Sequence, residues 1–261
     1  MPRHLKHGPV FGVFADPHYS RMTVSGGRHF ARSPYKLRQC MRIFSERKVE
    51  LIVCLGDLID ARDDRAIQLL GEAADAIESV GVNWYLAPGN HDVTALTRYE
   101  LLKVCRVPCL DSYYSFDCKG VHFIILDSNF SPGGMPYTRA NMAWDNCYVG
   151  REQLNWLAKD LEATAYPALV FVHANLDVRI EREILDPHVV RDHNEVRSVL
   201  ERSGKVKMVF QGHCHSGHYS RINHIPYYTL RAMVEGESQN SALLVSMEDE
   251  NHIHVEELFD K

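Results

Sequence analysis

Residues 10–18 read Val-Phe-Gly-Val-Phe-Ala-Asp-Pro-His, and residues 51–57 read Leu-Ile-Val-Cys-Leu-Gly-Asp. Each is an apolar run of strand length, stopped by a turn-forming residue next to a side chain with a lone pair to offer. Between them, Pro34 to Lys48 carries Leu37, Met41 and Phe44 at helical spacing among Arg and Lys. The order strand, amphipathic helix, strand is the start of an α/β fold, in which strands are covered by helices and polar chemistry collects beyond the carboxyl ends of the strands. The pattern continues outward. Asp63 to Val80 reads as a second helix with Ile67, Leu70, Ala74 and Ile77 on its inner face, and Val82 to Ala87 as a third strand ending at Pro88-Gly89-Asn90.

Further along, Tyr113–Asp117 and Val121–Leu126 flank Cys118-Lys119-Gly120 and predict a hairpin. Arg151 to Leu161 predicts a helix with Leu154, Leu157 and Leu161 inward. Ala168–Val172 and Val206–Phe210 predict strands ending at His173 and at Gln211-Gly212-His213. Tyr219–Ile222, Tyr227–Leu230, Ala242–Ser246 and Ile253–Glu256 predict closing antiparallel strands. Residues 128–150 and 174–191 are long irregular stretches, of the kind that often carry function. With no repeat and no low-complexity linker, residues 1–261 are expected to form a single domain.

Composition narrows the function classes. A net charge of -5 over 261 residues supplies no basic footprint for a nucleic-acid polymer or a membrane surface. No apolar run approaches a membrane span and no leader-like segment follows the charged N-terminus, so a reduced, cytoplasmic protein is expected. The seven Cys form no CxxC pair, and Cys54, inside an apolar run, reads as a buried thiol. Fifteen His is a high count and favours a metal or acid–base site, although His4, His7, His252 and His254 read as surface residues.

Five short clusters then stand out: Asp16-Pro17-His18, Gly56-Asp57, Gly89-Asn90-His91-Asp92, His173, and Gly212-His213-Cys214-His215. Each follows an apolar run, and each taken alone is as ordinary as a turn. In this order they describe a cage for two metal ions with one spare imidazole. Carboxylate, amide oxygen and imidazole suit Mn, Fe or Zn, and the lack of thiolate argues against a structural zinc site. Two ions held close together need a bridging ligand, and Asp57, with two oxygens, is the candidate. Asp60 and Asp92 are expected either as acceptors for the second N–H of metal-bound imidazoles or as turn residues. Cys214 is expected as a packed thiol.

The order DxH, GDxxD, GNHD, H, GHxH resembles the calcineurin-like metallophosphoesterases over nearly the whole chain. The resemblance implies a four-layer α/β sandwich, with two mixed β-sheets flanked by helices. It implies that Asp16, His18 and His215 hold one metal and Asn90, His173 and His213 the other, with Asp57 between them. His91 would contact the phosphoryl oxygen or protonate the leaving group, and attack on phosphorus would come from a metal-bound hydroxide. The segments Phe11–Asp16, Arg28–Arg32, Gly150–Leu157 and Gly217-His218-Tyr219 are similar to the manganese-dependent ADP-ribose/CDP-alcohol diphosphatase branch, which implies a small-molecule phosphate ester or nucleotide as substrate. In that reading Arg28 and Arg32 clamp a distal phosphate and Tyr137, Trp144 or Tyr148 stacks on a base. Two departures are visible. His18 stands where animal members of the branch tend to have Gln, and Asp145-Asn146-Cys147-Tyr148 replaces a more Gly-rich stretch. The competing readings are a phosphomonoesterase or cyclic-nucleotide phosphodiesterase on the same site, a nuclease, and a non-catalytic protein-binding scaffold.

Overall fold

The computed structural model describes residues 8–258 apart from 62, 106–110, 179, 182–183, 239 and 251. His4, His7 and Cys109 lie outside the described residues. His252 and His254 are exposed, as expected of surface residues.

The chain opens with β1 (Val10–Phe14), a short hairpin β2–β3 (Val24–Ser25 and Arg28–His29) and α1 (Ser33–Glu46). It continues through β4 (Leu51–Cys54), α2 (Ala66–Glu78), β5 (Asn83–Leu86), α3 (Asn90–Ala95) and α4 (Arg98–Val104). The hairpin β6–β7 (Tyr114–Cys118 and Val121–Leu126) leads to α5 (Arg151–Ala163) and β8 (Ala168–Val172). A small hairpin β9–β10 (Ile180–Glu181 and Ile184–Leu185), α6 (His193–Ser203) and β11 (Val206–Gln211) follow. The chain closes with β12 (Ser216–Ile222), β13 (Ile225–Arg231), β14 (Leu243–Met247) and β15 (Ile253–Glu257).

Two mixed sheets carry the fold, in the orders β15-β14-β1-β4-β5 and β12-β13-β11-β8-β7-β6. In the first, β1, β4 and β5 run parallel, β14 lies antiparallel against β1, and β15 antiparallel against β14. The sheets pack face to face through Phe11, Val13, Phe123, Phe171 and Phe210, with ring centroids of Phe11 and Phe123 5.2 Å apart. Both outer faces are covered: α1, α2 and α4 close one core, α5 and α6 the other. The result is helix, sheet, sheet, helix, the four layers that the motif order implies. The parallel strands β1, β4, β7, β8 and β11 are buried at almost every position, which is why they read as unbroken apolar runs rather than as alternation.

The structure corrects several readings. Ile67 is 50% exposed, because the inner stripe of α2 runs through Ala66, Leu69, Leu70, Ala73, Ala74 and Ile77. Three alanines in that stripe weaken the apolar signal and shift its apparent phase. Leu154 is only partly buried. Of the expected antiparallel strands, β13 pairs antiparallel with β12 but parallel with β11. The turn at 212–215 carries the chain past one strand width, so the hairpin returns β13 into the gap beside β11. The helices α3, α4 and α6 carry little signal of their own: α3 begins inside a motif, α4 buries only Leu101 and Leu102, and α6 only His193, Val196 and Leu200. Among the described residues, no helix is long and apolar enough to cross a membrane.

A candidate two-metal centre

The carboxyl ends of β1, β4, β5, β8 and β11 converge at one edge of the sandwich, and each ends in one of the five clusters. The turns there are tight. Asp16, His18, Asp57 and His213 are all in the left-handed region, with φ of 51°, 44°, 48° and 66°. Non-glycine residues rarely adopt that conformation, and it costs on the order of 1–3 kcal/mol each unless the surroundings impose it. Gly89 is required by space rather than by φ. A Cβ there would lie 2.1 Å from the Asp57 nitrogen and 2.2 Å from its Oδ1.

The donor atoms form overlapping groups: Asp16, His18 and His215; His18, Asp57 and His91; Asp57, His173 and His213. Within each group the atoms lie within 4.8 Å of one another. Asp57 sits between the two halves. Its Oδ1 accepts the backbone N–H of His91 at 2.8 Å. That leaves Oδ2, 3.6 Å from His18 Nε2 on one side and 3.5 Å from His173 Nε2 on the other. His18 Nε2 faces His215 Nε2 at 3.3 Å, and His173 Nε2 lies 3.0 Å from Asn90 Oδ1.

The imidazoles are aimed from behind. His173 Nδ1 donates to the Leu55 carbonyl at 2.7 Å, and His215 Nδ1 lies 2.6 Å from Glu235 Oε1, so both turn Nε2 inward. His18 Nδ1 and His91 Nδ1 lie 3.3 and 3.2 Å from the same oxygen, Asp60 Oδ2. Asp60 therefore faces two imidazoles at once. Asp92 is not beside an imidazole: its carboxylate accepts from Ile59 N at 3.2 Å and Gly89 N at 3.0 Å, and so shapes the turn.

These residues fit a pair of cations. Asp16 Oδ1 and His213 Nε2 are buried with no hydrogen-bond partner, which is costly unless an ion takes that place. Burial pushes the Asp16 carboxyl up to about 7. Burial, with His18 beside it, pushes His215 down to about 2, and burial lowers His18 and His213 as well. Burial opposes charge on His173 too, but Asp57 outweighs it and lifts His173 to about 10. Asp57 itself, though buried, is held well below the usual range by His173 and His91. Neutral His18, His213 and His215 beside an ionised Asp57 are the protonation states that ligation needs, and His173 has to release its proton when an ion binds.

His91 stands at the edge of this cage, its ring 4.7 Å from that of His18. Burial disfavours its charge, but Asp57 and Asp60 together raise it above the ordinary histidine range. It lines a cavity of about 840 Å³ with Ser20, Arg28, Phe30 and Asp60. Arg28 reaches this cavity and pairs with Glu235 at 3.8 Å. Arg32 does not line it; its guanidinium stacks 5.1 Å above the Tyr35 ring and donates to the Glu237 carbonyl. Tyr137 is 3% exposed and gives its hydroxyl to the Asn146 carbonyl, so it presents no face to a base. Trp144 is exposed and lies 5.8 Å from the His213 ring, while Tyr148 is half-buried on the strand-like pairing with Phe130.

Two contributors were missed. Glu235 orients His215 from a loop that no motif marks, and the buried Lys36 holds that loop by donating to the carbonyls of Met233, Glu235 and Gly236 at 2.9, 2.9 and 2.6 Å. Neither has a local signature, because their partners lie about 20 and 200 residues away.

A profile described as calcineurin-like phosphoesterase matches residues 9–217. The manganese-dependent ADP-ribose/CDP-alcohol diphosphatase of Oryza sativa subsp. japonica is 24% identical over 273 residues, covering 86% of this chain and 83% of that protein. A 3',5'-cyclic-nucleotide phosphodiesterase of Nostoc is 23% identical over 185 residues, covering 69% of this chain and 61% of that protein. Among solved structures, a dimetal phosphatase from Danio rerio superposes with a TM-score of 0.78 at 18% identity, over 95% of this chain and 98% of that one.

Proposed function

The chain belongs to the calcineurin-like phosphoesterase family and is a metal-dependent phosphoesterase, and on that premise we propose that it cleaves the diphosphate or phosphodiester bond of a small nucleotide-type substrate, of the ADP-ribose or CDP-alcohol kind. The observation that carries this reading is Asp57 Oδ2, buried midway between two sets of converging donors. Asp16, His18 and His215 would hold one ion and Asn90, His173 and His213 the other, with Asp57 shared between them. Such a pair lowers the pKa of water toward ~7 and neutralises charge on a phosphoryl group, and Mn, Fe and Zn all suit the donor set.

The remaining work falls to the protein. His91, with Nδ1 turned to Asp60, has Nε2 left to donate a proton to the departing oxygen. The leaving side of the substrate then extends into the 840 Å³ cavity, where Arg28 meets a second phosphate. Trp144 offers a face for a base on the other side of the cage. The rice relative's printed activity supports the diphosphatase reading over the cyclic-nucleotide one, since it aligns over more of both chains.

The test is a product assay on manganese-loaded protein with ADP-ribose, CDP-choline, cyclic AMP, an artificial phosphodiester and an artificial monoester, read by phosphorus NMR. Cleavage of the two diphosphates to monophosphates is expected to be fastest. Turnover of monoesters or cyclic AMP alone would keep the metal centre and overturn the substrate. No turnover with any metal would favour a scaffold.

A further inference from the structure

One side-chain group near the cage takes no part in the proposed chemistry. Asp186 and His188 sit in the segment before α6, and Cys214 lies in the turn after β11, between His213 and His215. Their donor atoms lie within 4.8 Å of one another. Among the described residues it is the one donor group containing a thiol. The group is built rather than loose. Asp186 Oδ1 accepts the backbone N–H of His188 at 2.9 Å and lies 2.7 Å from its Nδ1. The His188 carbonyl accepts from Asn175 N at 3.0 Å, and Arg191 N donates to the Cys147 carbonyl at 2.8 Å, so both ends of the segment are tied down. Cys214 is buried, with Sγ 3.5 Å from Ser216 Oγ.

The group is also separate from the cage. The His188 and His213 rings meet edge to face at 4.9 Å, so the cage ligand stands between the two. Its chemistry differs as well. The cage offers only nitrogen and oxygen, whereas thiolate, imidazole and carboxylate together favour zinc over manganese. All three donor atoms lie within 4.8 Å of one another, so bonds of ~2.0–2.3 Å to a single ion call for side-chain adjustment, the Asp186–His188 hydrogen bond giving way to ligation. Three protein ligands leave a tetrahedral ion one open position. His188 is 31% exposed, so the group is reachable from solvent.

We propose that Asp186, His188 and Cys214 form a third metal site, selective for zinc, with its open position available to water or to an anionic oxygen. Binding releases the Cys214 thiol proton to solvent. The full-length protein is titrated with cobalt(II), and separately with zinc followed by metal analysis of the desalted protein. We expect three equivalents of zinc and a sulfur-to-cobalt charge-transfer band in the near ultraviolet. Cys214→Ser and His188→Ala are expected to abolish the band and to remove one equivalent, with unchanged circular dichroism. Absence of the band in the wild-type protein overturns the proposal, as does a band that survives Cys214→Ser, or zinc content that stops at two equivalents. Asp57→Asn, in contrast, is expected to lower metal content while leaving the band, which separates failure of this site from failure of the cage.

Discussion

The two walls of the cleft are made in opposite ways. The wall formed by residues 127–150 is long and has no regular structure, yet it is tied down along its length. Arg98 donates to Asp127 at 2.9 Å, to the Tyr137 carbonyl at 2.7 Å and to the Asn129 carbonyl at 2.8 Å. Asn129 Nδ2 reaches the Pro88 carbonyl at 2.7 Å, beside the Gly89–Asp92 motif. Asp192 accepts from Val149 N at 3.0 Å and Gly150 N at 2.8 Å. The wall formed by residues 20–30 is short and basic, and residues 21–27 are exposed. It is held by His29 N to the Val234 carbonyl at 2.9 Å and by pairs that solvent reaches, Arg28 with Glu235 and Arg21 with Glu72. Length without secondary structure predicts a specificity loop at 128–150. Hydrogen bonding makes that segment the scaffold and leaves the shorter wall to face the cavity.

The largest expected effect tests which wall the chemistry faces. His91→Ala is expected to lower kcat by ~10²–10⁴-fold with metal content unchanged; wild-type turnover in that variant would remove His91 from the mechanism. Next comes the scaffold. Arg98→Met removes the cation from the fully buried Asp127 carboxylate, which keeps hydrogen bonds from Ser112 Oγ and Asn129, and loss of one partner of a buried pair costs up to about 3–5 kcal/mol, read as a lower Tm. Arg28→Met, on the half-exposed pair, should change stability by at most about 1 kcal/mol, while raising KM for a diphosphate more than for an artificial monoester. Equal losses of Tm in the two variants would erase the contrast between the walls. Trp144→Ala should weaken nucleotide binding by only about 2–10-fold, as the loss of one stacking face does. A larger effect than that of Arg28→Met would return specificity to the long wall.

The smallest effect concerns pH. His122 lies between Asp160 at 2.8 Å and Asp117 at 2.6 Å, joining the β6–β7 hairpin to α5 on the scaffold side. Burial opposes its charge, but hydrogen bonds with Asp160 and Asp117 raise it above its ordinary 6.5. A folded-state value above the unfolded one stabilises the fold fully below about 6.5 and loses that contribution as pH rises through the folded value. Denaturation midpoints followed from about pH 6 to about pH 9 should therefore fall, and His122→Gln should flatten that slope. An identical slope in the variant would assign it to other groups.

The layers were legible in the sequence, and so were the candidate donors that the fold gathers. Buried parallel strands must be apolar throughout, so β1, β4 and β8 announced themselves, and the residue just past each strand end was already in view as Asp16, Asp57 or His173. Geometry enters through contacts between distant residues, which no local pattern encodes. Only the tertiary structure placed Asp57 Oδ2 between His18 and His173, aimed His215 with Glu235, and held the Glu235 loop on the buried ammonium of Lys36. It also took Tyr137 and Arg32 away from the cleft, kept Trp144 at its rim, and brought Asp186 and His188 to Cys214. The physical reason is range: strand and helix periodicity is set by neighbours a few residues apart, whereas a side chain's partner is set by how two sheets and their loops close on each other.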